Sequence, residues 1–143
     1  MIIGYGRVAQ ALASRLAPLA GELCITNRGE GRLALAAQNG FSTVAWEDWP
    51  LIAEKATYIF NTVPDLVINW EILEKLPSDV LIIDLAAHPG GVDFSLAKQL
   101  RKKAILASGL PGRYAPVAAG KTLALVYPPL LAAKLEERGK WDD

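Results

Sequence analysis

Apolar and polar positions along the chain change period repeatedly, and each change marks an element. Ile2-Ile3 is an apolar stub, after which Val8, Ala11, Leu12, Arg15, Leu16 and Leu19 recur at helical spacing and predict a helix over 7–19, ended by Gly21. Leu23 to Thr26 reads as a strand, Gly31 to Asn39 as an Ala/Leu-rich helix closed by Gly40, and Phe41 to Ala45 as a third strand. A short helix over 47–55 precedes a strand over 58–62, whose end Pro64 marks. A helix through Trp70 and Leu73 leads to the strongly apolar strand Val80 to Asp84, then to a helix over 94–103 and a sixth strand over 104–107. The stretch 115–138 is helical in composition, with Pro128-Pro129 predicting a break or a sharp kink.

Strands alternating with helices in this way predict an α/β fold: a parallel sheet covered on both faces, three-layer and doubly wound, with about six strands in the order 3-2-1-4-5-6. No linker, repeat or low-complexity tract interrupts residues 1–138, which are read as one domain, and 139–143 as a frayed tail.

Bulk composition narrows the partners. Of 143 residues 52% are hydrophobic, and 15 basic side chains face 15 acidic ones, so no net field draws in nucleic acid or an anionic membrane. A small molecule or a protein is the expected partner. The one cysteine, Cys24, sits in an apolar run; it reads as a small buried hydrophobe, and the composition calls for neither disulfide nor metal. No apolar stretch has the length of a signal peptide or a membrane span, so a cytoplasmic location is expected.

The first chemistry lies at residues 4–9, where Gly4-Tyr5-Gly6-Arg7-Val8-Ala9 reads G-x-G-x-x-A between a strand stub and an amphipathic helix. This is the dinucleotide fingerprint of Rossmann-type domains, with Ala in place of the third Gly. Gly4 permits the tight turn, Gly6 lets a pyrophosphate approach the main chain, and Ala9 allows close helix–strand packing. The N–H groups of the helix's first turn then hold the phosphates. The strand before the turn is unusually short, which suggests a first strand cut short.

The end of the second strand discriminates between dinucleotides. An NAD site places an acid there for the ribose 2′-OH, but the stretch is Ile25-Thr26-Asn27-Arg28-Gly29. Asn27 can donate to a 2′-phosphate, and Arg28 and Arg32 can neutralise it, which favours NADP. Glu30, the nearest acid, is expected in the first turn of the next helix; the plain alternative is that Arg28 and Arg32 are ordinary surface residues.

Three loops are expected on the carboxyl edge of the sheet. Asn61-Thr62-Val63-Pro64 ends the fourth strand, where its backbone can lie along the cofactor's ribose and nicotinamide or serve only as a turn. His88, the one histidine, stands in the loop after the fifth strand as a candidate acid or base, or as a solvated loop residue; Asp93 reads as a helix cap. Arg113, in the Gly- and Pro-rich loop 108–116, is the candidate for a substrate carboxylate, or a plain surface arginine. Catalytic residues are not assignable from these positions.

The segments 4–9, 61–64, Asp84-Leu85-Ala86-Ala87-His88-Pro89-Gly90-Gly91-Val92-Asp93-Phe94 and 109–120 together resemble the C-terminal domain of the A subunit family of dipicolinate synthase. Order and spacing match along most of the chain. The resemblance implies a Rossmann domain that follows an N-terminal domain absent here, and an NADP-dependent oxidation of dihydrodipicolinate, a small dicarboxylate, to dipicolinate. It implies the mother cell of a sporulating bacterium and a flavoprotein-like second subunit. Removing hydride aromatises the ring, so the protein need mainly position donor and acceptor. Ala87 stands where the family has Ser and His88 where it varies, so no catalytic role passes to His88.

Two rival readings stay open: another NADP-dependent dehydrogenase, shikimate-dehydrogenase-like or of the hydroxy-acid type, and a nucleotide-binding module without chemistry. With the other domain absent, Trp46, Trp49 and Trp70 are expected to contribute to a bare apolar patch, favouring self-association, a possible homo-oligomer.

Overall fold

The computed structural model describes residues 1–19 and 21–139. Two compact units make up the chain, Met1–Ser108 and Gly109–Asp143.

The first unit holds β1 (Ile2–Ile3), α1 (Arg7–Leu16), β2 (Cys24–Thr26), α2 (Glu30–Gln38), β3 (Ser42–Val44), α3 (Trp49–Ala53), β4 (Tyr58–Asn61), α4 (Trp70–Lys75), β5 (Leu81–Asp84), α5 (Phe94–Gln99) and β6 (Lys103–Leu106). Every pairing is parallel, and the six strands lie in the order β3-β2-β1-β4-β5-β6, as the alternation predicts. The pleat sends alternate residues to opposite faces. Ile2 and Ile25 join Ala9 and Ala13 of α1 and Ala36 of α2 in one core cluster. Ile3, Ile59 and Ile82 join Trp49 of α3, Leu73 of α4 and Ala97 of α5 in the other. The sheet is therefore the middle of three layers, and β1, with both residues fully buried, is its centre.

Several element ends differ from the sequence reading, each for a local reason. α1 stops at Leu16 rather than Leu19 because Pro18 has no N–H to give the Ser14 carbonyl. Trp49 is 3% exposed, deep in the core, so it belongs to no bare patch, whereas Trp46 is half-buried and Trp70 is exposed. Cys24 is half-buried on β2, and burial pushes its thiol pKa up. Glu30 and Asp93 occupy the helix starts expected of them, the Asp93 carboxylate accepting from Leu96 N at 2.9 Å.

α5 ends at Gln99, four residues short of its sequence-read end, because Arg101 turns to φ 55°. Arg101 N donates to Lys98 O and Lys102 N to Ala97 O, a Schellman closure like the one that Gly40, at φ 83°, provides for α2. The left-handed conformation is strained for an L-residue and not for glycine. Arg101→Gly is therefore expected to stabilise the protein by about 0.5–1 kcal/mol, seen as a melting temperature a few degrees higher.

The second unit holds α6 (Leu110–Tyr114) and α7 (Pro116–Gly139). The stretch read as the Gly- and Pro-rich loop 108–116 contains a short helix: Gly109, at φ 68°, immediately precedes it, and Arg113 N donates to Gly109 O at 3.2 Å. Proline costs little in a first helical turn, which accommodates Pro111 and Pro116. Pro128-Pro129 does not interrupt α7. The two prolines free only the carbonyls of Ala124 and Leu125, and both residues are exposed, so water can serve them. Residues 140–143, most of the expected tail, lie outside the described residues.

Candidate functional site

A cleft of about 620 Å³ opens at the carboxyl edge of β1, β2 and β4. Its floor is the glycine turn. Gly4 sits at φ 92°, and its N–H donates to Thr26 O at 2.8 Å, pinning the turn to the end of β2. Thr62 Oγ1 donates to Ile3 O at 2.9 Å and so crosses directly over Gly4 Cα; a Cβ there would collide with Thr62 Oγ1 and meet Val63 Cγ2 at 3.0 Å. Gly6 is different: a Cβ on it would find only Arg32 Nη1, at 3.9 Å, so the Gly6 main chain faces open space with a guanidinium above it.

Gly6 is the N-cap of α1 and supplies no side-chain cap. The first helical bond is Gln10 N to Gly6 O at 2.9 Å, leaving the N–H groups of Arg7, Val8 and Ala9 without an intrahelical acceptor, as at any helix start. All three residues line the cleft. Glycines without Cβ, orphan N–H groups and the positive end of a ten-residue helix make a fitting seat for a pyrophosphate.

The residues that follow β2 set one end of the cleft. Asn27 Oδ1 accepts from Tyr5 N at 3.0 Å and Asn27 Nδ2 donates to Gly29 O at 2.9 Å, so this amide braces the turn and has one N–H left for a ligand. Arg28 reaches across to the loop after β4, its Nη1 3.2 Å from Asp65 Oδ2, and its Cζ lies 5.1 Å from the centre of the Trp46 ring. Arg28, Arg32, Gly29, Gly31 and Trp46 line this end, and Thr62, Val63 and Pro64 the facing wall.

Of the thirteen residues named from the sequence for the cofactor, twelve line the cleft. Asn61 turns inward. It is fully buried, and its amide accepts from Val63 N at 3.0 Å and donates to Val63 O and to Asp84 Oδ1, each at 2.9 Å. Asp84, also fully buried, accepts from Ala86 N at 3.0 Å through the same oxygen and from Gly91 N at 2.7 Å through Oδ2. The carboxyl group is thus held by three neutral donors, with no ion pair among the described residues, and through Asn61 it fixes the Val63 turn that walls the cleft. Gly91 packs so closely that a Cβ would lie 2.5 Å from Asn61 Nδ2, Val63 O and Asp65 O.

Sequence reasoning missed this brace, although a charge closing the apolar run Val80 to Ile83 and followed by Gly90-Gly91 was the available signal. Nothing comparable marked Trp46 or Asp65. His88 is exposed in the loop after β5 and does not line the cleft; Arg113 belongs to the second unit and is exposed. No group of three or more His, Cys, Asp or Glu able to hold a metal occurs among the described residues, and no described helix is long and apolar enough to cross a membrane.

A family model described as NADP oxidoreductase coenzyme F420-dependent matches residues 1–88. The chain belongs to that family. The A subunit of dipicolinate synthase from Bacillus subtilis (strain 168) is 34% identical over 139 residues, 97% of this chain and 47% of that protein. A crystal structure of the same Bacillus subtilis protein superposes with a TM-score of 0.87 at 33% identity, covering 95% of this chain and 46% of that one. The corresponding dipicolinate synthase structure from Bacillus halodurans gives 0.86 at 36% identity, covering 92% and 45%. Shikimate 5-dehydrogenase from Thermus thermophilus, solved with shikimate, gives 0.55 at 27% identity, covering 77% and 41%.

The likeness to the dipicolinate synthase A subunit expected from the motifs is borne out, as is the Rossmann-type sheet. The chain spans about half the length of the curated relative it matches. It is an oxidoreductase-family domain, and its cofactor class is a nicotinamide dinucleotide.

Proposed function

We propose that the cleft binds NADP and that the chain is the dinucleotide-holding part of an enzyme that oxidises dihydrodipicolinate to dipicolinate. The observation that carries the cofactor choice is the pair Arg28, just after β2, and Arg32, in the first turn of α2, both lining the cleft, with no carboxylate at the end of β2 where an NAD site presents one. The substrate choice rests on the likeness to the dipicolinate synthase A subunit.

When bound, the cofactor supplies a nicotinamide ring able to accept hydride. The chain's own residues hold and orient. The N–H groups of Arg7, Val8 and Ala9 receive the pyrophosphate, Arg28 and Arg32 the 2′-phosphate, and the braced wall at Thr62 to Pro64 the sugar beyond. Holding a ring that is aromatised by hydride loss in line with its acceptor is a positioning task.

Among the described residues the cleft lining contains no His, Asp, Glu, Lys or Cys, and its one phenol, Tyr5, is buried with its oxygen accepting from Asn39 Nδ2 at 3.0 Å. This favours a division of labour in which substrate groups come from another part of the enzyme, with Arg113 and His88 as substrate-side candidates of this chain. A flavoprotein-like second subunit, self-association and a cytoplasmic setting in the mother cell of a sporulating bacterium complete the proposal. The same lining also favours the reading of a nucleotide-binding module without chemistry. Dihydrodipicolinate-dependent reduction of NADP separates the two: turnover is expected once the second subunit is added together with the N-terminal domain of a dipicolinate synthase A subunit, and none with this chain alone. No turnover in the full assembly, with NADP bound as the hydride acceptor, rejects the substrate assignment.

A further inference from the structure

The ion pair across the cleft mouth raises a question of its own. Arg28 Nη1 lies 3.2 Å from Asp65 Oδ2, joining the end of β2 to the loop after β4 over 37 residues of sequence, and both side chains are largely exposed. The guanidinium face is covered separately, by the Trp46 ring at 5.1 Å. Arg28 is thus held twice, once by stacking and once by charge. Only the second contact uses the hydrogen-bonding edge that a phosphate needs.

We propose that Asp65 is a specificity-determining residue that competes with the cofactor's 2′-phosphate for Arg28; this rests on the reading of the cleft as an NADP site. Asp65 immediately follows Pro64 of the cleft wall, so its carboxylate stands at the rim rather than in the lining. A phosphate that engages Arg28 either takes over the Nη1 donor from Asp65 or uses the remaining N–H groups, and in both cases it sits beside a like charge. Cation–π stacking on Trp46 keeps the guanidinium in place without Asp65, so removing the carboxylate takes away the competitor and leaves the anchor. Arg32, whose Nη1 hangs over Gly6, makes no ion pair among the described residues and is not subject to this competition. A cofactor without the 2′-phosphate has nothing to exchange with Asp65, so the effect belongs to one dinucleotide only.

Asp65→Asn keeps the size and removes the charge. Titration of wild type and Asp65→Asn with NADPH and with NADH, each at low and high salt, reads the effect directly. The expected result is NADPH binding about fivefold tighter in the variant, the size of an exposed ion pair, with NADH unchanged and the gain shrinking as salt rises. Unchanged or weaker NADPH binding in the variant overturns the competition and makes the pair either neutral or an organiser of Arg28. Tighter binding of both cofactors also overturns it, because the effect is then not addressed to the phosphate. If wild type prefers NADH or binds neither, the NADP reading itself fails, a result distinct from each of these. Trp46→Ala in the Asp65→Asn background is expected to lose the gain, since the guanidinium then has neither hold.

Discussion

Asp84→Ala lowers the stability of the protein by about 3–4 kcal/mol, a melting temperature lower by about 10 °C or more. The carboxylate is fully buried and accepts from Asn61 Nδ2, Ala86 N and Gly91 N. Asn61 keeps a second acceptor in Val63 O, so the loss falls mainly on the two backbone donors, left buried without partners at about 1–3 kcal/mol each. Asn at position 84 does not repair the site. It presents N–H₂ to one of the donors whichever way the amide turns, so Asp84→Asn is also expected to destabilise, less than Ala because the volume is kept. Loosening the Val63 turn weakens dinucleotide binding in both variants. Calorimetry on the two variants checks this, and an Asp84→Ala protein that melts like wild type contradicts the brace.

Gly4→Ala is expected to remove dinucleotide binding altogether and to cost about 3 kcal/mol of stability. Two terms add. At φ 92° an L-residue is strained by about 1–2 kcal/mol, and the new methyl collides with Thr62 Oγ1 and presses on Val63 Cγ2, an overpacking cost of about 1–3 kcal/mol. Relief by moving Thr62 breaks its bond to Ile3 O and shifts the wall of the cleft. Gly6→Ala is the instructive partner: a Cβ there has space, with Arg32 Nη1 at 3.9 Å, so the fold is kept while the methyl occupies the approach of the pyrophosphate. Melting curves with and without cofactor distinguish the two, Gly4→Ala failing in both respects and Gly6→Ala in binding alone.

The layered fold was legible because its signals are local and repeated: apolar strand cores such as Ile59 and Ile82, helix periodicity, and Gly40 at a helix end. The glycine turn was legible for a related reason, since backbone geometry leaves few residue types free to fill it. What escaped depends on contacts between distant segments. Arg101 carries no mark of its left-handed turn, because arginine ordinarily continues a helix. Asn61 and Asp84 look like polar strand ends facing a ligand until the strand register, Asn61 opposite Asp84, places them side by side beneath the Gly90-Gly91 loop. Trp49 looked like surface because helix α3 is too short to show a period, yet its ring is part of the core.

The central claim, that this cleft holds a phosphorylated nicotinamide dinucleotide through the end of β2, is tested most directly by thermal stabilisation with NADPH and with NADH, on wild type and on Arg28→Ala. The account predicts a clear upward shift with NADPH, a much smaller one with NADH, and a loss of most of that difference in Arg28→Ala. The melting temperature of the cofactor-free variant is little changed, because the Arg28–Asp65 pair is exposed. Equal shifts with the two cofactors, or a preference for NADPH that survives in Arg28→Ala, contradict it.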